Sequence, residues 1–484
     1  MKRTRPIQIN WQPNKNDSIP VYRQIVQYVC DKVASGEWPI GSRLPSQRFL
    51  AESFKVNRST ISTAIDELTS YGIISGKHGA GTQIVSNTWS LMLPSKSNWK
   101  KLISAGSFQE NNRRLQQINR LEFDPDMIRL GTGELDPRLF PQEMWMKIMQ
   151  KLSTEITSLG YAEPLGILKL RQAIAKHMQK LGVDVSPKNI LITSGALQGL
   201  QLIASCMLKE GSTVFTEAPT YLKSLQMFQS VGLNLDGIPM DQDGLEYWRI
   251  EKELKKNESS VLYTIPTNQN PTGITMPNLR RQELIEFCTK NRLPIIEDGV
   301  YQELCFDDDK ILPLKAIDDN EMVMYIGSAS KTLAPGLRIG WVIAAEPIIQ
   351  RLGDAKMQMD YGASSLSQLV FSEFLSSGMY DQYLKNLKQT LKKRRDNALV
   401  TLEKYFKDIA TWDDPVGGFY IWLTFNDGIE VDDLVDKAIE EKILLNPGDI
   451  YDFKRNRSLR LSFAYVTCEE FEKAIEKLLM IIND

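Results

Sequence analysis

Beyond residue 126 the sequence alternates short apolar runs with longer amphipathic stretches, and this alternation limits the chain to very few folds. The apolar runs have the length and composition of strands: ILITSG, VLYTIP, PIIED, MVMYIGS and IGWVIAA. Stretches of helical character such as ALQGLQLIASCML and LRRQELIEFCTK lie between them. Strands and helices in this order build βα units and a mostly parallel, buried sheet. The pattern predicts an α/β fold in which ligands bind where strands end and helices begin.

Length and composition exclude several classes of protein. At 484 residues the chain is too long for one ordinary core, so two or three domains are expected. The five cysteines are scattered and there are only two histidines, so neither a disulfide framework nor a metal site is predicted. The basic residues 1–10 precede no apolar targeting segment, and no run of about 18 apolar residues occurs. We therefore expect a cytoplasmic protein without a membrane partner.

Charge is distributed unevenly along the chain. Residues 1–85 hold 11 Lys and Arg against 6 Asp and Glu, which leaves 47 against 54 for residues 86–484. This asymmetry indicates a basic module that meets an acidic partner, joined to a module that does not. We accordingly predict an N-terminal module at 1–85, a linker at 86–125 and a C-terminal module at 126–484. The linker lacks a clean helical period, which suits a segment that docks locally on a neighbouring surface.

Three helices and a hairpin are predicted in the N-terminal module. Apolar residues recur at helical spacing from Val21 to Val33, Ser46 can cap a second short helix, and a third can start at Asn57 or Ser59. The turn between the second and third helices is a few residues long, as in a helix-turn-helix. The pieces GIIS and TQIV then flank the glycine-rich turn GKHGAG, which predicts a two-stranded wing.

The third predicted helix opens on NRST, a set of side chains suited to nucleic acid. In a major groove Asn57 and Arg58 would reach base edges, while Ser59 and Thr60 would bind phosphate. The other candidate DNA contacts, on phosphates and at the tip of the wing, are Arg43, Arg48, Lys77, His78 and Gly79. The alternative is a small helical protein-interaction domain with a solvated basic face.

Four polar residues of the C-terminal module lie at predicted strand ends and suggest a cofactor. Lys331 lies in SASKTLAPGLRIG, Asp298 closes the strand IIED, and Asn270 begins NPTG. Pyridoxal phosphate needs an amine for a Schiff base, a carboxylate beside the pyridine nitrogen, and donors for its phosphate. Lys331, Asp298 and Arg338 supply one of each. Taken singly, each has an ordinary alternative: a surface charge, a turn or a helix cap.

Further predicted contacts surround these groups. The turn Ser194-Gly195 lies between a strand and a helix, where backbone N–H groups can hold phosphate. Asn270 and Tyr301 would donate to the ring hydroxylate, and Tyr221 would stack on the ring. The candidate cofactor-binding residues also include Ala196, Leu197, Ser328 and Ser330.

Two parts of the chain resemble known families. RLPSQRFLAESFKVNRSTISTAIDELTSYGIISGKHGAGT resembles the winged helix of GntR-superfamily regulators. The resemblance implies DNA contacts at Arg48, Asn57, Arg58, Ser59, Thr60, His78 and Gly79. The ordered motifs S-G, E-A-P-x-Y, N-P-T-G, E-D-x-x-Y and S-x-S-K-x-x-x-x-G-x-R resemble fold-type I aminotransferases from about residue 128 onward. That resemblance implies a large domain with a mostly parallel sheet and a smaller α+β part at the C-terminus. The combination resembles MocR-type regulators over nearly the whole chain.

The aminotransferase resemblance also implies roles for individual residues. It places Lys331 as the residue that binds the cofactor covalently and Gly133, in GTGELDPRLFP, in a substrate-side loop. Arg460, in SLRLSFA, would hold an effector carboxylate, although a strand arginine facing solvent is the alternative. Tyr161, in YAEPLGILKLRQAIA, would reach the cofactor phosphate of a neighbouring subunit.

The phosphate turn departs from the family pattern. Ala196 and Leu197 stand where many relatives offer a hydroxyl group. Phosphate binding would therefore depend on backbone N–H groups, on Ser328 or Ser330, and on Arg338.

The MocR resemblance implies a pyridoxal phosphate-dependent transcriptional regulator that senses an amino acid, an amine or the cofactor itself. It also implies a head-to-tail homodimer that places two winged helices on one operator. The alternative is an active α-amino acid aminotransferase with an appended DNA-binding domain, and a residual transaminase half-reaction is compatible with a regulator. A DNA-bridging protein with an inactive cofactor domain is disfavoured because Lys331, Asp298 and Arg338 are all present.

Overall fold

The computed structural model describes most of the 484-residue chain. The described residues are 9, 11–34, 37–38, 42–70, 73–77, 81–85, 113–254, 259–307 and 311–483. The chain divides into two units, Met1–Glu110 and Asn111–Asp484. Among the described residues, no helix is both long enough and apolar enough to cross a membrane.

The N-terminal unit contains three helices followed by a hairpin. Its elements are α1 (Val21–Ala34), α2 (Gln47–Phe54), α3 (Arg58–Ser70), β1 (Ile74–Lys77) and β2 (Gly81–Ile84). Ser46 caps α2, since its side chain accepts a hydrogen bond from the N–H of Phe49 at 3.3 Å. β1 and β2 are antiparallel, with Ile74 opposite Ile84. The predicted winged helix-turn-helix is confirmed.

An apolar core joins the three helices of this unit. Ile25 and Val29 of α1, Phe54 of α2, and Ile61 and Leu68 of α3 are all buried in it. These positions recur at helical spacing, so each helix buries one face and leaves the opposite face to solvent.

The large unit holds the other elements of the described residues. Its helices are α4 (Arg113–Leu121), α5 (Gln142–Glu155), α6 (Leu168–Lys180), α7 (Ala196–Met207), α8 (Leu222–Ser230), α9 (Ile250–Leu254), α10 (Asn278–Asn291), α11 (Glu346–Met359), α12 (Ser365–Ser376), α13 (Met379–Phe406), α14 (Val431–Glu440) and α15 (Cys468–Asn483). Its strands are β3 (Ile128–Arg129), β4 (Ile190–Thr193), β5 (Thr213–Ala218), β6 (Asn234–Asp241), β7 (Gly244–Leu245), β8 (Ser260–Thr264), β9 (Ile295–Asp298), β10 (Val323–Ser328), β11 (Gly340–Ile343), β12 (Ala410–Trp412), β13 (Tyr420–Phe425), β14 (Ile443–Leu444), β15 (Asn446–Pro447) and β16 (Ser458–Ser462).

Eight of these strands form one sheet in the order β4-β11-β10-β9-β8-β5-β6-β7. The four pairs from β10 through β9, β8 and β5 to β6 are parallel. β11 runs antiparallel to both β10 and β4, so the sheet is mixed at this side. Every residue of β4, β9, β10 and β11 is buried, as in sheets covered on both faces. The predicted α/β fold is confirmed.

A second, antiparallel sheet belongs to the smaller C-terminal part of this unit. Its strands lie in the order β12-β13-β16-β15, and β13 pairs with β16 so that Trp422 lies opposite Arg460. β14 pairs separately with β3. This sheet carries Arg460 at the centre of β16.

The helix α4 lies within the stretch predicted as a linker. Residues 86–112 lie outside the described residues, and α4 begins directly after them. Ile118 of α4 packs against Met127 and Leu444, and Arg114 forms an ion pair with Asp436 of α14 at 2.6 Å. The sequence did not indicate this helix, because nine residues are too few to show a long helical period.

Candidate functional site

Lys331 lies in the turn that follows β10 and is half-buried. Its Nζ donates to the carbonyl oxygen of Gly133 at 2.5 Å and lies 5.8 Å from the ring centre of Tyr301. A Cβ at Gly133 would lie 2.7 Å from the hydroxyl oxygen of Tyr420. The loop approaches Lys331 this closely because residue 133 has no side chain.

Asp298 ends β9 and is buried beside the neighbouring strand β8. The hydroxyl of Tyr263 donates to its Oδ2 at 2.7 Å, and the N–H of Val300 donates to its Oδ1 at 3.3 Å. Burial raises the pKa of Asp298, and these two hydrogen bonds act in the opposite direction. Two donors leave the carboxylate with acceptor capacity for a further cationic N–H group.

The turn between β4 and α7 combines a helix start with a guanidinium. Gly195 has φ 92°, and a Cβ there would lie 2.5 Å from the Nη2 of Arg338. Arg338 donates through Nη2 to the carbonyl oxygen of Ser194 at 3.1 Å. Ala196 and Leu197 are the first residues of α7, so the positive end of a helix dipole lies beside this arginine.

One cavity of about 150 Å³ collects most of the predicted cofactor residues. The predicted residues that line it are Ala196, Leu197, Tyr221, Asn270, Asp298, Tyr301, Ser328, Ser330, Lys331 and Arg338. Ser194 and Gly195 form the adjoining turn. Tyr161 does not line this cavity: it is 89% exposed, and its ring lies 5.5 Å from that of Tyr361.

A second cavity of about 190 Å³ shares Tyr221, Asn270 and Lys331 with the first. Arg460 lines this second cavity and donates to the Oδ1 of Asn270 at 2.8 Å and to the carbonyl oxygen of Gly131 at 2.5 Å. Its guanidinium carbon lies 4.2 Å and 4.6 Å from the ring centres of Tyr420 and Tyr451. We call this space the Arg460 cavity.

Arg460 is only 3% exposed, so the alternative of a solvent-facing strand arginine is wrong. Its Nε has no hydrogen-bond partner within the described part of the chain, and no described carboxylate forms an ion pair with it. A buried cation without an anion is costly. The arrangement therefore suits a ligand that brings a carboxylate into the cavity.

Most of the candidate DNA contacts that the structure describes lie on the surface of the N-terminal unit. Asn57, Arg58 and Ser59 are exposed at the start of α3, and Thr60 is half-buried. Arg48 is exposed on α2 and pairs with Glu52 at 3.2 Å. Of the others, Arg43 is exposed beside β2, Lys77 ends β1, and His78 and Gly79 lie outside the described residues.

Comparison with known families shows to which family a chain with these two units belongs. Residues 125–478 match the family model for aminotransferase class I and II, and residues 21–84 match that for bacterial regulatory proteins of the gntR family. The HTH-type transcriptional regulator YisV of Bacillus subtilis is 45% identical over 467 residues, which are 96% of each chain. The chain belongs to the GntR-type transcriptional regulators that carry an aminotransferase class I and II domain.

Other similar proteins agree with this membership. The HTH-type transcriptional regulator NorG of Staphylococcus aureus is 36% identical over 439 residues, which cover 90% of this regulator and 98% of NorG. Among solved structures, an archaeal alanine:glyoxylate aminotransferase is 30% identical with a TM-score of 0.74, over 78% of this chain and 96% of its own. The kynurenine aminotransferase of Pyrococcus horikoshii, in complex with PMP, is 31% identical with a TM-score of 0.73, over 78% and 95%.

The cofactor of this regulator is pyridoxal phosphate, and the described residues fit it. The amine of Lys331, the buried carboxylate of Asp298 and the guanidinium of Arg338 line one cavity. This is the donor and acceptor set that the cofactor requires.

Sequence reasoning missed several residues that complete the two cavities. They are Leu115, Ile118, Tyr420, Asn446 and Tyr451 in the lining, and Tyr263, which donates to the cavity residue Asp298. A tyrosine inside the apolar strand VLYTIP was a usable signal for Tyr263. Tyr420 and Tyr451 reach Arg460 only through tertiary packing, which no local pattern indicates.

Proposed function

We propose that this regulator senses an amino acid or an amine through pyridoxal phosphate in its large unit, and that its DNA binding changes in response. The observation that carries this proposal is the placement of Arg460. It is a buried guanidinium whose Nε has no hydrogen-bond partner among the described residues, in a cavity that shares Lys331 with the cofactor-side cavity. An amino acid would meet Lys331 with its amine and Arg460 with its carboxylate.

Three charged residues would make the principal contacts with the cofactor. Lys331 would bind it covalently, Asp298 would face the ring nitrogen, and Arg338 would hold the phosphate together with the start of α7. When bound, the cofactor supplies an electrophilic carbonyl carbon to amines. The Oδ1 of Asn270 is engaged by Arg460, so its Nδ2 would donate to the ring hydroxylate, beside the hydroxyl of Tyr301. The remaining proposed cofactor contacts are Ser194, Gly195, Ala196, Leu197, Tyr221, Ser328 and Ser330.

The effector would act by replacing one set of contacts with another. Its amine would take the place of the Lys331 amine, and its carboxylate would meet the Nε side of Arg460. For regulation, the ligand must favour one arrangement of the protein over another, because it shifts an equilibrium only by its differential affinity for the two states.

We also propose a head-to-tail homodimer that acts on DNA in the cytoplasm. The exposed pair Tyr161 and Tyr361 supports an interface in the large unit, because exposed aromatic side chains next to each other suit a partner surface. Tyr161 would then reach the phosphate site of the neighbouring subunit. The working domain division stays at 1–85, 86–125 and 126–484.

An active α-amino acid aminotransferase is the second candidate. The observation that favours it is that the polar groups required for amino transfer, Lys331, Asp298 and Arg460, all line the two cavities that share Lys331. A regulator that retains a transaminase half-reaction would lie between the sensor and the active aminotransferase.

A visible-absorbance titration of the cofactor-loaded protein separates these functions. Purified protein is titrated with a panel of amino acids and amines, and the stripped protein is titrated with pyridoxal phosphate itself. For a sensor we expect one ligand to produce a lasting spectral change without turnover. Conversion to the amine form of the cofactor, reversed by a keto acid, would instead establish the aminotransferase. A protein that binds no pyridoxal phosphate would contradict both.

A further inference from the structure

The Arg460 cavity has acidic residues in its lining as well as basic ones. Glu134 follows Gly133 directly, Glu122 follows the end of α4, and both line the cavity. Burial raises the pKa of Tyr221 to about 12, and both carboxylates add small contributions in the same direction. Two negative charges therefore lie within electrostatic range of the same ring.

Asn446 adds an unused acceptor to this lining. The side chain is 4% exposed, and its Nδ2 donates to the hydroxyl of Tyr451 at 2.8 Å. Its Oδ1 has no hydrogen-bond partner among the residues that the structure describes. A buried acceptor without a donor is unfavourable, and an N–H group of a ligand would satisfy it.

The charges of the lining divide into two groups. Lys331 and Arg460 are the basic members, and under the proposed function they serve the cofactor and the ligand carboxylate. The acidic and acceptor groups of the same lining are the carboxylates of Glu122 and Glu134 and the Oδ1 of Asn446, and they would face the rest of the ligand. An acidic ligand side chain would be repelled by these carboxylates, whereas a cationic one would pair with them.

The size and apolar residues of the cavity limit the ligand further. At about 190 Å³ the cavity is smaller than the roughly 300 Å³ at which pockets for drug-sized ligands begin. Leu115, Ile118 and Ile450 also line it. An aliphatic chain that ends in a charge packs favourably along such side chains.

We propose that the effector is a basic α-amino acid, such as lysine or ornithine. Arg460 binds its carboxylate, Leu115 and Ile118 contact its methylene chain, and Glu134, with Glu122 and Asn446, binds its cationic end. This inference rests on the proposed function, because it assumes that the effector amine meets the cofactor at Lys331.

The test compares ligands that differ by one group in the visible-absorbance titration of the cofactor-loaded protein. Norleucine matches the chain length of lysine without its side-chain amine, and cadaverine lacks its carboxylate. We expect half-saturation by lysine at about fivefold lower concentration than by norleucine, the upper range for a partly exposed ion pair. We expect glutamate and cadaverine to need higher concentrations than norleucine for the same absorbance change.

Glu134 is the residue to change, because it is exposed and its substitution removes few packing contacts. Glu134→Gln should bring the lysine-to-norleucine ratio close to one, and Glu134→Lys should favour glutamate over lysine. Glu143→Gln, an exposed carboxylate on α5 outside the cavity lining, is the matched control and should keep the wild-type ratio.

The outcomes separate this inference from the proposed function. Equal or tighter binding of norleucine, glutamate or cadaverine by the wild-type protein would overturn the basic-amino-acid assignment and leave amine sensing intact. An unchanged ratio in Glu134→Gln would also overturn it. No spectral response to any amino acid would overturn both, and the wild-type ratios decide the matter even if a variant fails to fold.

Discussion

The two units place their functional side chains in opposite environments. In the N-terminal unit, Asn57, Arg58 and Ser59 are exposed above an apolar core, so the residues proposed to bind DNA differ from those that hold the fold. In the large unit, Asp298 and Arg460 are buried. The same side chains are therefore part of the proposed binding site and of the folded interior. The difference teaches that a DNA contact can be changed at little cost in stability, whereas a change at the ligand cavities also alters the core.

Buried polar groups show the same contrast. Among the described residues of the N-terminal unit, Ser42 is the one buried polar side chain. The large unit buries whole carboxyl groups, and burial raises the pKa of both Glu217 and Glu297 to about 7. The large unit therefore buries ionisable side chains in its interior, whereas the described N-terminal unit keeps its charged side chains at the surface.

The largest expected effect is the loss of the cofactor signal in Lys331→Ala. Removing the amine removes the proposed covalent attachment, so we expect the visible absorbance of the bound cofactor and its response to amines to disappear. Spectra of the purified variant after incubation with pyridoxal phosphate provide the measurement. Lys393→Ala, on an exposed position of α13, is the control and should keep the wild-type spectrum. An unchanged spectrum in Lys331→Ala would remove this residue from the site.

The next effect concerns the buried carboxyl of Glu217. Because its pKa rises from 4.5 to about 7 in the folded protein, the folded state holds its proton more tightly than the unfolded state. This contribution to stability is fully present below about pH 4.5 and is lost as the pH rises through 7. A change of this size corresponds to roughly 3 kcal/mol.

Glu217→Gln should therefore flatten the pH dependence of the large unit's stability. Urea unfolding of wild type and variant at several pH values between 4.5 and 8 measures the two slopes. Identical slopes would show that Glu217 does not titrate in this window.

A smaller effect is expected at the exposed end of α3. Arg58→Ala should weaken operator binding by about 1 to 3 kcal/mol if Arg58 contacts a guanine. Its stability should stay within about 0.5 kcal/mol of wild type, because the side chain is exposed. Footprinting and urea unfolding test the two halves of this prediction, and Arg23→Ala on α1 serves as an exposed control. A destabilised Arg58→Ala variant would contradict the claim that the DNA contacts of the N-terminal unit do not contribute to its stability.

The smallest effect concerns the cap of α2. Ser46→Ala removes the hydrogen bond to the N–H of Phe49 and should destabilise the N-terminal unit by about 1 kcal/mol. Hydrogen exchange across residues 47–54 of the full chain reports this loss locally. Ser75→Ala, exposed on β1, is the comparison. Unchanged protection in α2 would mean that the cap contributes nothing measurable.

The sequence predicted local structure in both units with good success. Helical spacing located α1, Ser46 marked the start of α2, and the apolar runs located β4, β8, β9, β10 and β11. The direction of β11 could not be predicted, because a strand buried on both faces has the same residue pattern whichever way it runs. The helix α4 was not predicted, because its nine residues are too few to show a helical period.

The candidate site was predictable where a short sequence motif includes the reactive side chain itself. Lys331 and Asp298 fall into that class, since an amine and a carboxylate at strand ends indicate their roles directly. Contacts between distant parts of the chain were not predictable. Arg460 on β16 meets Asn270, which follows β8, across 190 positions, and Gly133 meets Lys331 across 198 positions.

The most direct measurement is the operator affinity of the cofactor-loaded protein during titration with the amino acid that changes its visible absorbance. We expect the affinity to change by about 5- to 150-fold, the usual range of coupling between two sites. The midpoint of that change should equal the midpoint of the absorbance change. An operator affinity that stays constant while the absorbance change saturates would contradict sensing by the large unit.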